Sequence, residues 1–180
     1  MDIGVGSQEH PLTSIGYSAF FVCYSLTSVT IPDSVTSIGD YAFSDCSGLN
    51  IVTIPNSVMI IGRTAFCNCY GLTSITIGNS VTSIGEEAFS GCEGLTSITI
   101  PNGVTSIGEY AFVECRGLAS ITIPNSVTNI GYYAFNECSG LASVTIDKSI
   151  SDVQTMGNYS WGLPSGCTIY CTGGDTIVIE

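Results

Sequence analysis

A 23-residue period constrains the fold of this chain more than any other feature of its sequence. An Ala-Phe pair, a leucine and a cysteine each recur at that interval, without insertion between Leu12 and Ile146. The alanines are Ala19, Ala42, Ala65, Ala88, Ala111 and Ala134. Such a period is typical of a solenoid, in which each repeat makes one coil that only its neighbours can bury.

The first half of each repeat predicts a β-strand that ends in a turn. In a central repeat, Leu95, Ile98 and Ile100 follow an L-x-x-I-x-I spacing that resembles the strand of a leucine-rich repeat. Because strand side chains alternate, the intervening Ser97 and Thr99 are expected to point outwards. A Pro-Asn-Gly tripeptide follows, and these residue types favour a turn.

The second half of each repeat predicts a second short extended segment and then one or two helical turns. Ala111, Phe112 and Cys115 recur at roughly helical spacing, so their side chains are expected to pack inwards. The next glycine, Gly117, is expected to be a left-handed cap. Phe43, Phe66, Phe89, Phe112 and Phe135 should all be buried.

These features predict a single domain with the α/β solenoid fold. The expected molecule is a right-handed superhelix of about seven coils, with one parallel sheet on the concave face and short helical turns on the convex side. The predicted divisions are an irregular leader over residues 1–11, regular repeats over 12–146 and a C-terminal cap over 147–180.

The C-terminal residues depart from the repeat, as terminal coils must when one of their faces has no neighbour. Trp161 falls where a repeat cysteine would lie, and Ile150 and Val153 match the second extended segment. Thr168 follows Thr145 by one full period, which predicts a last strand. Residues 177–179 are then expected to add a covering extended segment.

The charge of the chain excludes two classes of partner. Three Lys and Arg residues against fifteen Asp and Glu give a formal net charge of −12, which repels nucleic acids and anionic lipid headgroups. No run of about 18 apolar residues occurs, and the first residues lack a basic segment and an apolar core. We therefore expect neither membrane insertion nor a signal peptide in this chain.

The sequence offers little for catalysis. His10 is the only histidine, and it lies in the leader, whereas a nucleophile with a general base needs a convergent site. We therefore expect no enzymatic activity and no cofactor. The glutamates of the helical segments are expected to form a solvated rim.

Nine cysteines raise the question of a metal site or of disulfides. Cys67 with Cys69, and Cys167 with Cys171, could resemble ligand pairs. Six of the nine recur at the repeat period, however, and coils ~4.8 Å apart hold their Cβ atoms farther apart than the ~3.8 Å of a disulfide. Buried free thiols and no metal are therefore expected.

Two surfaces are candidates for binding. The first is a pair of outward rows on the predicted sheet: Ser28, Ile51, Ser74, Ser97, Ser120 and Ser143, with Thr30, Thr53, Thr76, Thr99, Thr122 and Thr145. These rows either form a contact face for a protein or a glycan, or only reflect β-propensity and hydroxyl pairing between strands. We mark Ser97, Thr99, Ser120 and Thr122 as candidate contacts.

The second candidate is the variable helical edge, where aromatic and basic residues gather: Tyr17, Tyr41, Arg63, Tyr70, Tyr110, Arg116, Tyr132 and Tyr133. Tyrosine and arginine are enriched at protein interfaces. Drift on an unconstrained surface would also give such variation. We mark Tyr110, Tyr132, Tyr133 and Arg116 as candidate partner-binding residues.

The repeat motif I-P-x-S-V-T-S-I-G-x-x-A-F-x-x-C-x-G-L resembles the BspA-like, or treponemal, class of leucine-rich repeats over about residues 12–170. That resemblance implies a curved parallel sheet, a bacterial or protozoal cell surface, and adhesion to host or microbial proteins. We therefore expect a surface or secreted, adhesin-like scaffold without catalytic activity. A matrix-like or ice-binding solenoid with regular Ser/Thr ladders is the alternative. Because the series begins within a unit, we expect a fragment of a longer array.

Overall fold

A computed structural model describes residues 11–157 and 160–180, which form a β-solenoid of about seven turns. Of the predicted leader, residues 1–11, only Pro11 falls within the described part of the chain. The candidate histidine of the sequence, His10, lies outside it.

The described chain contains fourteen short strands and one short helix. In chain order they are β1 (Ser14–Ile15), β2 (Ser28–Thr30), β3 (Ser37–Ile38), β4 (Ile51–Thr53), β5 (Ile60–Ile61), β6 (Ser74–Thr76), β7 (Ser83–Ile84), β8 (Ser97–Thr99), β9 (Ser106–Ile107), β10 (Ser120–Ile123), β11 (Asn129–Ile130), β12 (Ser143–Ile146), α1 (Ile150–Thr155), β13 (Thr168–Cys171) and β14 (Thr176–Val178).

These strands form two faces of the solenoid. The odd-numbered strands from β1 to β11 make one six-stranded parallel sheet, which we call the short-strand face. The even-numbered strands from β2 to β12, with β13 and β14, make the long-strand face, which consists of one three-stranded and one five-stranded sheet. Within these sheets only β14 pairs antiparallel, as an edge strand on β13.

The prediction of one parallel sheet is therefore wrong, since the second extended segment of each coil also pairs with its neighbours. Parallel pairing itself is confirmed, and its register places equivalent residues side by side, as with Ser97 and Ser120. Ile98 and Ile121 are buried between outward hydroxyl side chains, so the predicted inside and outside of the strand are confirmed. The right-handed winding and the concave position of a sheet stay predictions.

The predicted helical turns are hydrogen-bonded turns instead. The segments around the Ala-Phe pair of each coil form a third face of the solenoid, which we call the turn face. Tyr110 and Glu114 have left-handed backbones, with φ of 54° and 60°, which interrupt any helix. The N–H groups of Tyr110 and Phe112 donate to the carbonyls of Tyr132 and Ala134 in the next coil, at 3.0 and 2.8 Å. In an α-helix these groups would bond four residues back along the same segment. Pairing between coils has replaced helix formation.

The core is a set of ladders, each made of one residue type from successive coils. The predicted phenylalanines at 43, 66, 89, 112 and 135 are fully buried. With Phe20 they stack at ring-centroid distances of 5.0–5.6 Å. Parallel aromatic stacking thus runs from the first described coil to the last regular one, and it joins every coil to the next.

Cysteines form a second ladder beside the phenylalanines. Cys46, Cys69, Cys92, Cys115 and Cys138 are fully buried. Each thiol donates a weak hydrogen bond to the carbonyl oxygen of a phenylalanine in the preceding coil, at Sγ···O distances of 3.0–3.2 Å. The sequence indicated only a small apolar side chain here, but the thiol also satisfies a buried acceptor.

The repeated glycines allow close stacking rather than left-handed turns. Gly117 does not have the positive φ that was predicted. A Cβ atom built on it would lie 2.6 Å from the carbonyl oxygen of Glu93 in the preceding coil. At Gly108, a Cβ would lie 2.5 Å from the backbone nitrogen of Glu86. Glycine is needed at these positions because two backbones approach each other.

The C-terminal cap follows a different register from the one predicted. The last parallel strand is confirmed, but Thr168 pairs with Ser143 and not with Thr145, the residue one period before it. The coil between these two strands is two residues longer than a regular repeat. Because the added number is even, inward and outward side chains still alternate in step with the neighbouring strand. Trp161 is fully buried, and its carbonyl accepts from the N–H of Phe135 at 2.8 Å. It therefore takes the place of a repeat alanine and not of a cysteine.

The second extended segment is also absent from the described part of the cap, where α1 replaces it. Ser149 caps this helix, and its side chain accepts from the backbone N–H of Asp152 at 3.2 Å. Val153 is fully buried, so the residue that was predicted to continue the core does so from a helix.

Candidate binding surface

Three of the four marked residues of the variable edge come together on the turn face. Tyr110 and Tyr133 occupy the same left-handed position on successive coils, with φ of 54° at each. Tyr132 directly precedes Tyr133, and its carbonyl accepts from the N–H of Tyr110 at 3.0 Å. Because the 23-residue period aligns these positions, Tyr110 and Tyr133 lie side by side on neighbouring coils.

The three rings are in contact, and we call them the tyrosine cluster. The ring centroids of Tyr110 and Tyr133 are 5.8 Å apart, and those of Tyr132 and Tyr133 are 4.0 Å apart. The hydroxyl of Tyr132 donates to that of Tyr133 at 3.2 Å, and this hydrogen bond raises the pKa of Tyr132. Tyr132 is 49% exposed. The cluster therefore offers a partly exposed aromatic surface.

Arg116 belongs to a separate group of charges. Its guanidinium contacts the carboxylates of Glu93, Glu114 and Glu137, the last two at 3.0 and 3.2 Å. All four side chains are 42–57% exposed, so solvent screens each pair and its contribution to stability is small. Within residues 11–157 and 160–180, no ring contact joins Arg116 to the tyrosine cluster.

The marked hydroxyl residues lie on the long-strand face. Ser97 and Thr99 on β8 pair with Ser120 and Thr122 on β10, and all four are exposed. They form two short rows of side-by-side hydroxyl groups. The serine row is not continuous along the solenoid, because Ile51 takes the serine position on β4 and is 58% exposed.

One acidic residue beside the tyrosine cluster was interpreted from the sequence only as part of a solvated rim. Glu109 precedes Tyr110 and occupies the same repeat position as Tyr132 in the next coil. Its carbonyl accepts from the N–H of Glu87 at 2.9 Å, so it lies in the same ladder of coils. The signal that could have identified it is its separation from Tyr132 by one repeat period.

The described residues contain no arrangement that suggests catalysis or metal binding. A groove of about 550 Å³ lies along the turns that follow the first strands of the long-strand face. Among the described residues that line this groove, only Asp33 is ionisable. No group of three or more His, Cys, Asp or Glu residues in the described chain could hold a metal ion. Within the same ranges, no helix is both long and apolar enough to span a bilayer.

All nine cysteines are free thiols. Cys167 and Cys171, the pair that could have resembled metal ligands, are both buried, which agrees with a place in the core. Burial raises the pKa of the Cys46 thiol to about 11 and that of Cys138 to about 12. Such thiols remain protonated and are poor nucleophiles at neutral pH.

Solved bacterial structures share this fold. A leucine-rich repeat protein of T. pallidum, TpLRR, superposes with a TM-score of 0.77 at 28% identity, over 87% of this chain and 82% of that one. A leucine-rich cell surface protein of Faecalibacterium prausnitzii has a TM-score of 0.69 at 38% identity, over 72% of this chain and 34% of that one. The chain thus spans about a third of the length of the second protein.

A third structure, the pneumococcal vaccine antigen PcpA, is similar in fold, with a TM-score of 0.70 at 23% identity over 82% of this chain and 36% of that one. No curated protein matches the chain significantly. The T. pallidum and F. prausnitzii structures, at 28% and 38% identity, fit a protein-interaction scaffold.

The repeat itself matches a family model in six copies, over residues 13–138 and 59–161. That model describes a BspA-type leucine-rich repeat region, and it indicates no catalytic family. The matched ranges contain the phenylalanine ladder, the cysteine ladder and the tyrosine cluster. The chain belongs to the BspA-type leucine-rich repeat family.

Proposed function

We propose that this chain is a non-catalytic binding module of a cell-surface or secreted protein, and that it binds a macromolecule through the tyrosine cluster. One observation carries the proposal. Tyr110, Tyr132 and Tyr133 gather on adjacent coils of the turn face, with ring-centroid distances of 4.0 and 5.8 Å and with Tyr132 49% exposed. The partner is a protein or a glycan. The name of the F. prausnitzii neighbour, a cell surface protein, supports the location.

Tyrosine suits such a contact for physical reasons. Its ring buries a large apolar area with little loss of conformational entropy, and its hydroxyl satisfies a polar group of the partner. The mutual contacts of the three rings already restrict their rotation before binding. In this proposal Arg116 lies at the polar rim of the interface, and Ser97, Thr99, Ser120 and Thr122 form the neighbouring contact face.

Charge complementarity narrows the class of partner. The net charge of −12 disfavours nucleic acids and anionic membranes. Two of the three cations, Arg63 and Arg116, contact carboxylates of the chain itself. The interface therefore favours a neutral or basic partner.

The test compares two variants that each lose three tyrosines. Tyr110→Ser, Tyr132→Ser, Tyr133→Ser removes the cluster, and Tyr17→Ser, Tyr41→Ser, Tyr70→Ser removes three other surface tyrosines. Serine is compatible with the left-handed position, since Ser18 has a φ of 52° there in the first coil. Binding of both variants and of wild type to a panel of extracellular-matrix and microbial surface proteins is measured by surface plasmon resonance.

We expect the cluster variant to lose about tenfold or more in affinity, as interface tyrosines commonly do, while the control variant binds like wild type. Equal losses in both variants would place the contact elsewhere. A wild-type chain that binds no member of the panel would contradict the proposed adhesive role.

Ordering of water is a second candidate function. The exposed side-by-side pairs Ser97 with Ser120 and Thr99 with Thr122 favour it, because regular hydroxyl rows can match a lattice. Thermal hysteresis and ice recrystallisation assays test it directly. An active wild type and an inactive Thr99→Leu, Thr122→Leu variant would support this candidate over the first.

A further inference from the structure

The tyrosine cluster lies next to the Glu109 carboxylate, which has no partner among the described residues. The other glutamates of the turn face are engaged: Glu86 pairs with Arg63, Glu87 accepts from Thr64, and Glu93, Glu114 and Glu137 surround Arg116. Glu109 is exposed, and within the described residues its side chain has neither an ion pair nor a hydrogen bond. It is therefore available to a cation from outside the chain.

The coil geometry places this carboxylate beside an exposed ring. Glu109 and Tyr132 occupy the same repeat position on neighbouring coils, which are ~4.8 Å apart. Their backbones are linked through Tyr110, which follows Glu109 and donates to the Tyr132 carbonyl at 3.0 Å. Equivalent positions on neighbouring coils therefore carry a carboxylate, on Glu109, and an exposed aromatic ring, on Tyr132.

This combination recognises a cationic side chain. A tyrosine face attracts an ammonium or guanidinium group placed over it, and a nearby carboxylate strengthens the attraction. The three Lys and Arg side chains of the sequence are engaged elsewhere, because Arg63 and Arg116 are paired with carboxylates and Lys148 donates to Asn125. A protein partner can supply it.

We infer that the Tyr132 ring and the Glu109 carboxylate together bind a lysine or arginine side chain of the protein partner. This inference rests on the proposed role of the tyrosine cluster, and it specifies what the cluster recognises. A surface with a net charge of −12 attracts basic segments over a distance, and this pair fixes where one cation binds.

The probes are the blocked tripeptides Gly-Lys-Gly, Gly-Arg-Gly and Gly-Gln-Gly, titrated into the full isotope-labelled chain and followed by NMR chemical shifts. Lys and Arg peptides should shift the signals of residues 109, 110, 132 and 133, and should bind at least about threefold more tightly than the Gln peptide. No preference over the Gln peptide would overturn the inference.

Four variants separate this pair from general attraction by the acidic chain. Tyr132→Leu removes the ring, and Tyr132→Phe keeps it. Glu109→Gln removes the carboxylate, and Asp33→Asn removes one negative charge on a different face. We expect Tyr132→Leu and Glu109→Gln to lose the preference for the cationic peptides, and Tyr132→Phe and Asp33→Asn to keep it.

Equal weakening by Glu109→Gln and Asp33→Asn would show that only net charge matters, which overturns the inference. So would unchanged binding by Tyr132→Leu. Failure of the inference remains distinguishable from failure of the proposed function. If the triple-serine variant loses its protein partner while these peptides show no preference, the cluster binds by apolar contact without a cation.

Discussion

At the scale of single residues, the turn face depends on left-handed backbones at positions that mostly do not carry glycine. Each regular coil has two such residues, four apart, as with Tyr133 and Glu137 at φ of 54° and 58°. This conformation costs a non-glycine residue about 1–2 kcal/mol of conformational energy, and it costs asparagine less than most residues. Two coils already carry the favoured types at the second position, namely Asn68 and Gly91.

Glu137→Asn should therefore stabilise the chain relative to a matched control, Glu93→Asn. Both changes remove one ion pair with Arg116, but only Glu137 has a positive φ. We expect the free energy of unfolding of Glu137→Asn to exceed that of Glu93→Asn by about 0.5–1 kcal/mol, from relief of backbone strain. Urea titrations measure the difference. Equal stabilities would show that the left-handed position carries no strain that asparagine can relieve.

At the scale of the coil, the strands were predictable and the turn face was not. The alternation around Ile98 is a local signal, and it indicated both the strand and its buried side. Ala111, Phe112 and Cys115 have a spacing that a helix and this turn share, so the pattern could not distinguish them. The choice depends on hydrogen bonds to the next coil, such as that from Phe112 to Ala134.

The candidate surface, too, was predictable only in part from the sequence. The period alone placed Tyr110 near Tyr133. It could not separate Arg116 from the tyrosines, because the carboxylates that hold this guanidinium come from three coils. The cap register was not predictable either, since the residues before Thr168 no longer follow the repeat.

The stacking of coils predicts a contrast between two glycines at the same repeat position. Gly108→Ala would place a Cβ 2.5 Å from the backbone of Glu86, so the coils must separate there, at a cost of about 3 kcal/mol in the free energy of unfolding. At Gly16 nothing among the described residues lies within 4 Å of such a Cβ. Gly16→Ala should be neutral or slightly stabilising in the same denaturant titration. Equal losses would contradict the close-stacking role.

At the scale of the whole molecule, the cysteine ladder forms one column of buried thiols along the repeats. Desolvation raises the pKa of these thiols from about 9 to about 11 at Cys46 and about 12 at Cys138, and raises those of Cys92 and Cys115 well above the usual value. The folded chain therefore holds these protons more tightly than the unfolded chain does. The stability that the protonated thiols contribute is fully present below the pKa of the thiols in the unfolded chain. It is lost as the pH rises through the pKa values of the thiols in the folded chain.

We expect the free energy of unfolding to be nearly constant between pH 7 and 8 and to fall steeply from about pH 9 upwards. Urea titrations under reducing conditions at half-unit pH steps measure the slope. A Cys92→Ala, Cys115→Ala variant, with two fewer thiols in the column, should lose stability less steeply above pH 9. Identical slopes would assign the alkaline loss to other groups, such as the exposed tyrosines.

The exchange of hydrogen bonds between successive coils also has a mechanical consequence. A chain pulled by its two ends along the solenoid axis loads these contacts one coil at a time, so it can give way in steps and not all at once. Each step releases one repeat unit, or roughly 75–80 Å of extended backbone. The coils thus act as a series of extensible links, so that the chain can lengthen under load while its remaining coils stay folded.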